Sequence, residues 1–185
     1  MNSQGTKLLQ KVLEKNDLTE EESYSILEDM ASGDLQPALS GALLVALRSK
    51  GEVAAEILGF ARAMRTLAIN PSIPSGENYV DIVGTGGDGS GSLNLSTGSA
   101  LLAAACGVKV LKHGNRSVSS RSGSADVLKA LGLPVPMSEK QVIDCLTKLG
   151  FTFLFAPSYH PAMKNIAPVR QALGVRTMFN ILGPL

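Results

Sequence analysis

Through the first 70 residues the apolar positions recur at helical spacing. Leu8, Leu9, Val12 and Leu13 form one stripe, the three-to-four-residue period of an amphipathic helix. Thr19-Glu20-Glu21-Glu22 reads as a capping box, in which the Thr hydroxyl and the last carboxylate satisfy the first free backbone N–H groups. Tyr24, Ile26, Leu27 and Met30 follow at the same period, and Gly33 ends the run. A third helix is predicted over 36–49; it is apolar nearly all round through Leu39, Leu43, Leu44, Val45 and Leu47, and stops at Gly51. A fourth, over 52–68, places Val53, Ile57, Phe60, Ala61 and Met64 on one face. Four short helices predict a small helical subdomain over residues 1–70. The third, apolar on several sides, needs a further surface such as a dimer contact.

Asn70-Pro71-Ser72-Ile73-Pro74-Ser75-Gly76 has linker composition, and the period changes after it. Tyr79-Val80-Asp81-Ile82-Val83 predicts a strand, then a glycine-rich loop and an apolar helix over 97–106. Val108-Lys109-Val110-Leu111 predicts a second strand, followed by a Gly/Ser loop and a helix from Ser124 to Leu131. Ser138-Glu139-Lys140-Gln141 is a second capping box, opening a helix to Leu149, and Phe151-Thr152-Phe153-Leu154-Phe155 is a third strand. His160-Pro161 opens a helix with Pro at its first position, interrupted or restarted at Pro168. Strands alternating with helices predict an α/β domain over 71–185 with a mainly parallel sheet and ligands at the strand C-termini. Three strands make a thin sheet, so this domain is expected to be incomplete at its C-terminal end.

Composition adds limits. With 44% hydrophobic residues the chain is globular rather than disordered. Net charge is +1, which excludes a polyanion-coating surface and, with three Tyr and no Trp, argues against nucleic acid. The charge is uneven: 1–70 hold seven Lys/Arg against ten Asp/Glu, and 71–185 hold ten against six. The second part thus suits a small anionic ligand. Cys106 and Cys145 stand among apolar neighbours without a CxxC pair, and are expected as buried thiols in a reducing compartment. The N-terminus lacks an apolar signal core, and no apolar run approaches the roughly 20 residues of a membrane span. A cytoplasmic protein without membrane contact is expected.

Gly84-Thr85-Gly86-Gly87-Asp88-Gly89 satisfies GxGxxG after a strand. In a dinucleotide fold, however, the helix begins within the motif and an acid ends the next strand. Here Ser90 to Ser96 intervene, and Lys112 replaces the acid. No Gly-Lys-Ser/Thr follows, which excludes a P-loop. What the glycines offer is exposed backbone N–H groups that an anion can approach closely. Asn94, Ser96 and Thr97 then stand at a helix start, where hydroxyls and the helix dipole favour phosphate oxygens; a helix cap alone accounts equally for Ser96 or Thr97. Between Lys112 and Ser124 lie one Lys, two Arg, a His, an Asn and five Ser. Two such loops on successive strand ends point to one anionic ligand bridging both.

The sequence resembles the anthranilate phosphoribosyltransferases. The likeness rests on Gly84–Gly89 with Asn94-Leu95-Ser96-Thr97, and on Lys112-His113-Gly114-Asn115-Arg116 with Ser119-Ser120 and Gly123-Ser124-Ala125-Asp126. Phe155-Ala156-Pro157, His160-Pro161-Ala162-Met163, Pro168-Val169-Arg170 and Arg176-Thr177 follow in order. The resemblance implies a nucleoside phosphorylase/phosphoribosyltransferase-like fold. It also implies transfer of the phosphoribosyl group of phosphoribosyl pyrophosphate to anthranilate in tryptophan biosynthesis, and a homodimer through the N-terminal helices. It further implies that Gly84, Gly87, Asp88, Ser92, Asn94, Leu95, Ser96 and Thr97 line the pyrophosphate and ribose. Lys112, His113, Gly114, Asn115, Arg116, Ser119, Ser120 and Ser124 would complete the phosphate cradle. Ser96 would serve one Mg²⁺ site. Gly84, Asn115 and Arg170 would face anthranilate, with His113 and His160 near its approach and no residue acting as acid or base. Arg170 suits a bidentate carboxylate clamp; a surface helix Arg is the competing reading.

Ser90-Gly91-Ser92-Leu93 departs from the family, which has Thr then Phe ahead of Asn, although Ser92 keeps a hydroxyl. Family members also carry an Asp-Glu pair for Mg²⁺ in a C-terminal portion not found in these 185 residues. The chain is therefore expected to be a fragment, inactive or weakly active. A pyrimidine nucleoside phosphorylase is the competing enzyme, disfavoured by the Lys112–Asn115 run and Arg170. A binding module that keeps the scaffold without catalysis is the competing non-enzyme.

Overall fold

The computed structural model describes residues 3–84, 93–117 and 122–183. The chain divides into two compact units, 3–68 with 160–183, and 69–159. Among the described residues no helix is long and apolar enough to cross a membrane.

The first unit is helical. Its members are α1 (Ser3–Leu13), α2 (Glu20–Ser32), α3 (Pro37–Lys50), α4 (Ala54–Thr66), α9 (Met163–Leu173) and α10 (Phe179–Leu182). The capping box at the start of α2 forms as its sequence requires: Thr19 Oγ1 accepts from Glu22 N at 3.1 Å, and the Glu22 carboxylate accepts from Thr19 N at 2.8 Å. Gly33 closes the helix in the left-handed conformation, φ 87°, which glycine adopts without a Cβ clash. Helices α2 and α4 approach closely because Gly59 lies between them; a Cβ there would stand 2.3 Å from the Glu20 carbonyl oxygen. Glu56 is fully buried, and its carboxylate accepts from Leu18 N at 2.9 Å and Val53 N at 3.0 Å while pairing with Lys50 at 3.2 Å. Burial opposes the charge on Lys50, but the hydrogen bonds it donates to Asp17 and Glu56 overcome this and hold its pKa above the ordinary lysine value.

Helix α9 belongs to this unit because Ile166 and Val169 lie in the same core as Leu27, Leu43, Leu47 and Phe60. The sequence pattern placed 71–185 in one domain; the packing groups 160–183 with the bundle. The nearly all-apolar α3 thus finds a second partner inside the chain, where a Cβ at Gly41 would stand 3.6 Å from the Val169 and Leu173 side chains. An apolar cleft of about 870 Å³ remains beside these two helices, lined in part by Ala38, Ala42 and Val45. Pro161 precedes the helix rather than opening it, in a turn where Met163 N donates to the His160 carbonyl at 3.0 Å. Pro168 lies within α9.

The second unit holds α5 (Leu95–Ala105), β1 (Val110–Gly114), α6 (Ser124–Ala130), α7 (Glu139–Leu149), β2 (Phe151–Phe155) and α8 (Ala156–Tyr159). Strands β1 and β2 are parallel, with Val110 opposite Phe151 and Gly114 opposite Phe155. The core comprises Ala100, Val110, Ala125, Leu128, Phe151 and Phe153. The segment expected as a first strand contributes only one bridge, Val80 to Val110, also parallel. Cys106 is exposed and Cys145 partly so; burial was expected for both, but Cys106 caps the end of α5, a helix whose Leu95 and Leu102 also face outward.

Candidate functional site

Of the two candidate ligand loops of the second unit, the second leaves the C-terminal end of β1, and the first follows the single Val80 bridge to that strand. The first loop is strapped to β1 by alternating contacts. Val80 N donates to the Lys109 carbonyl and Leu111 N to the Val80 carbonyl, at 3.0 and 2.9 Å. Beyond this bridge, side chains replace the ladder. Asp81 Oδ1 accepts from His113 N at 3.2 Å, and Lys112 Nζ donates to the Ile82 carbonyl at 2.6 Å. Lys112 is 1% exposed. Its ammonium therefore holds the approach to Gly84 rather than standing open in a phosphate cradle. Burial pulls its pKa below the ordinary lysine value, and the nearby Asp81 charge opposes that shift. His113 is held below the usual histidine value by burial first, with Lys112 adding and Asp81 opposing. Gly84 itself is exposed, and nothing lies within 4 Å of where its Cβ would be.

The first loop runs into α5. Asn94 caps that helix: its Oδ1 accepts from Thr97 N at 3.2 Å, Thr97 Oγ1 at 2.7 Å and Ser96 Oγ at 3.3 Å. Thr97 is fully buried and Leu95 is exposed, while Ser96 is half-buried. The cap and anion readings of this turn are compatible, because a hydroxyl that donates keeps its lone pairs.

The described ends of the second loop, Asn115–Ser117 and Gly123–Ser124, are drawn together between β1 and α6. Asn115 O accepts from Ala125 N and Ser124 Oγ at 3.2 and 3.3 Å. Asp126 Oδ2 accepts from both Ser117 N at 3.1 Å and Gly123 N at 2.8 Å, so one carboxylate oxygen closes the loop at both ends. These two bonds, with Gly123 the stronger cause, hold the Asp126 pKa below the ordinary carboxylate value. Gly123 permits the closure, since a Cβ there would stand 2.4 Å from Ser117 N. Asn115 and Arg116 are left exposed, and the Arg116 guanidinium lies 5.8 Å from the Phe155 ring centre. Among the expected site residues, Gly87, Asp88, Ser92, Ser119 and Ser120 lie outside the described residues. The loop-closing role of Asp126 was not assigned from sequence. Its one signal is an acid three residues after a helix-leading glycine.

Arg170 and His160 belong to the helical unit, and both are half-buried. The Arg170 guanidinium lies 5.1 Å from the Phe179 ring centre. Among the described residues it has neither a carboxylate nor a hydrogen-bond partner, and burial alone pulls its pKa below the ordinary arginine value. A partly desolvated guanidinium without a counter-ion is a ready site for an anion.

Residues 6–68 match the helical bundle domain of a glycosyl transferase family, and residues 76–185 match that family's a/b domain. The chain is 48% identical over 177 residues to an anthranilate phosphoribosyltransferase of Cupriavidus metallidurans, covering 96% of this chain and 52% of the relative. A Thermus thermophilus anthranilate phosphoribosyltransferase crystal structure is 50% identical with TM-score 0.84, covering 95% of this chain and 53% of that one. A Saccharomyces cerevisiae structure of the same enzyme, in complex with PRPP and Mg, gives TM-score 0.86 at 28% identity, covering 100% of this chain and 55% of the other. The chain thus spans about half the length of these relatives. It belongs to the glycosyl transferase family built from a helical bundle and an a/b domain, and is similar within it to the anthranilate phosphoribosyltransferases.

Proposed function

We propose that this chain carries substrate-binding elements of an anthranilate phosphoribosyltransferase. The observation that carries the reading is the pair of loop ends beside β1: Asp81–Gly84, tied down through Asp81 and Lys112 ahead of α5, and Asn115–Ser117, tied down by Asp126 ahead of α6. Exposed Gly84, the Asn94–Thr97 turn and the Asn115–Arg116 corner then form a cradle for phosphoribosyl pyrophosphate. The residues outside the described set, Gly87, Asp88, Ser92, Ser119 and Ser120, extend this cradle in the same reading. Lys112 serves it by fixing Ile82, Asp126 by closing the second loop. Arg170 takes the anthranilate carboxylate, with His160 on the same unit near the acceptor's approach.

In the proposed reaction the anthranilate amine attacks the ribose anomeric carbon. The new C–N bond forms as the C–O bond to pyrophosphate breaks. The leaving oxygen keeps the bonding pair, and the amine proton passes to solvent. The transition state has oxocarbenium character, so the protein's task is to orient the reactants and stabilise the leaving charge. Mg²⁺ fits the residues present in a limited way. Ser96 Oγ donates to Asn94 and keeps lone pairs for a ligand, while the described residues hold no cluster of three acidic, His or Cys groups. Ser96 would therefore hold an ion bound mainly by pyrophosphate oxygens and water, as Mg²⁺ prefers, and the ion would neutralise the departing pyrophosphate. A cytoplasmic homodimer through the N-terminal helices completes the reading, supported by exposed Val45 on α3 and the apolar cleft beside it.

An acceptor panel tests the function. Anthranilate with phosphoribosyl pyrophosphate and Mg²⁺ should be bound, and be consumed wherever turnover occurs. Consumption of a pyrimidine nucleoside with phosphate, without any response to anthranilate, would overturn the assignment.

A further inference from the structure

Arg170 lies on the last turn of α9, and its guanidinium is 5.1 Å from the centre of the Phe179 ring. Phe179 is 5% exposed. Behind it the Phe60 ring packs edge-on, with centroids 5.8 Å apart at 72°, and Phe60 is fully buried in the bundle core. Thr177 N donates to Asn180 Oδ1 at 3.0 Å, which ties the chain ahead of Phe179 to the short helix that carries it. Phe179 therefore cannot turn away without disturbing α4, and Arg170 rests on a rigid surface.

A guanidinium has five donors in a plane and a carboxylate accepts two of them side by side. Stacking on a ring fixes that plane while leaving its N–H edge free, because the attraction runs through the ring face rather than through hydrogen bonds. We propose that Phe179 is a positioning residue for the acceptor: its ring, braced by Phe60, sets the plane in which Arg170 meets the carboxylate of an aromatic acid. This rests on the reading that Arg170 binds anthranilate. Phe179 touches no substrate; it acts through Arg170.

The test compares anthranilate binding, followed by its own fluorescence, in the unchanged chain, Phe179→Leu, Phe179→Tyr and Arg170→Ala, with thermal unfolding of each. Leu keeps most of the volume but lacks the π-face; Tyr keeps the face. The expected result is a Kd about tenfold higher for Phe179→Leu, as the loss of a partly desolvated cation–π pair gives. Phe179→Tyr should stay within about twofold of the unchanged chain, and pyrophosphate affinity should not move in either. Where Leu does not fold, Phe179→Met takes its place. Equal anthranilate affinity in Phe179→Leu and Phe179→Tyr overturns the proposal, whether both are weakened through packing or neither is. The Arg170→Ala variant separates the two levels. If it binds anthranilate as the unchanged chain does, or if the unchanged chain does not bind at all, the reading of Arg170 fails and the proposal falls with it. If only Arg170→Ala weakens binding, the platform alone is wrong.

Discussion

Asp126→Ala removes the oxygen that Ser117 N and Gly123 N share, at 3.1 and 2.8 Å. A hydrogen bond to a charged group contributes about 1.5–3 kcal/mol when buried, and exposure lowers this to about 1 kcal/mol. Asp126 is half-exposed, so the two bonds together contribute ~2 kcal/mol. All of it acts on the corner that presents Asn115 and Arg116. In the proposed reading phosphoribosyl pyrophosphate binds with Ser117 and Gly123 tied to Asp126, so its Kd should rise by up to ~30-fold in Asp126→Ala. Asp126→Asn keeps an oxygen acceptor but loses the charge, which about halves the bond strength and predicts about a fivefold rise. Calorimetric titration with the pyrophosphate sugar and Mg²⁺ reads both. The carboxylate's lowered pKa fixes the pH dependence: its contribution is complete above the unfolded-state value and is lost as pH falls through the folded one. An Asp126→Ala affinity within twofold of the unchanged chain would refute the idea that this residue shapes the loop.

Glu56→Ala strips the acceptor from one buried and one part-buried amide and a buried ammonium; the expected loss is about 3–5 kcal/mol in urea unfolding, and a loss under ~1 kcal/mol would show the network to be dispensable. His113, held neutral by burial, should make folding less stable as pH drops below ~6.5 toward its lowered folded value, because the unfolded chain then takes the proton first. The pH 5–7 slope of the urea midpoint should flatten in His113→Gln; an unchanged slope would assign it to other groups. Gly59→Ala should destabilise the α2–α4 contact by about 1–3 kcal/mol through overpacking against the Glu20 carbonyl, measured as a lower thermal midpoint; an unchanged midpoint would show that the helices can part there.

Local chemistry was legible in the sequence. The Thr19 and Ser138 capping boxes and the left-handed Gly33 depend on residues within one turn, and both helices begin, and the first ends, where those signals put them. Strand β2 matched for a similar reason, since five residues of alternating bulk leave little choice. What depends on distant partners was not legible. Asp81 and Ile82 look like strand residues, yet their contacts with β1 run through the Asp81 carboxylate and the Lys112 ammonium, so the ladder stops at Val80. The anion loops were visible as composition, but not the closure by Asp126, because neither Ser117 nor Gly123 announces where its N–H points. The apolar surplus on α3 was visible; that α9 covers part of it was not, since the two are more than 100 residues apart in sequence. Arg170 stands evenly between surface and site in the sequence, which shows neither its stacking on Phe179 nor, among the described residues, the absence of a counter-ion.

The most direct measurement is a titration of anthranilate fluorescence with the chain, with and without phosphoribosyl pyrophosphate and Mg²⁺, beside Arg170→Ala. The account predicts a saturable change that strengthens when the pyrophosphate sugar is present and is lost in the variant. No change at millimolar concentrations, or an equal change in Arg170→Ala, would contradict it.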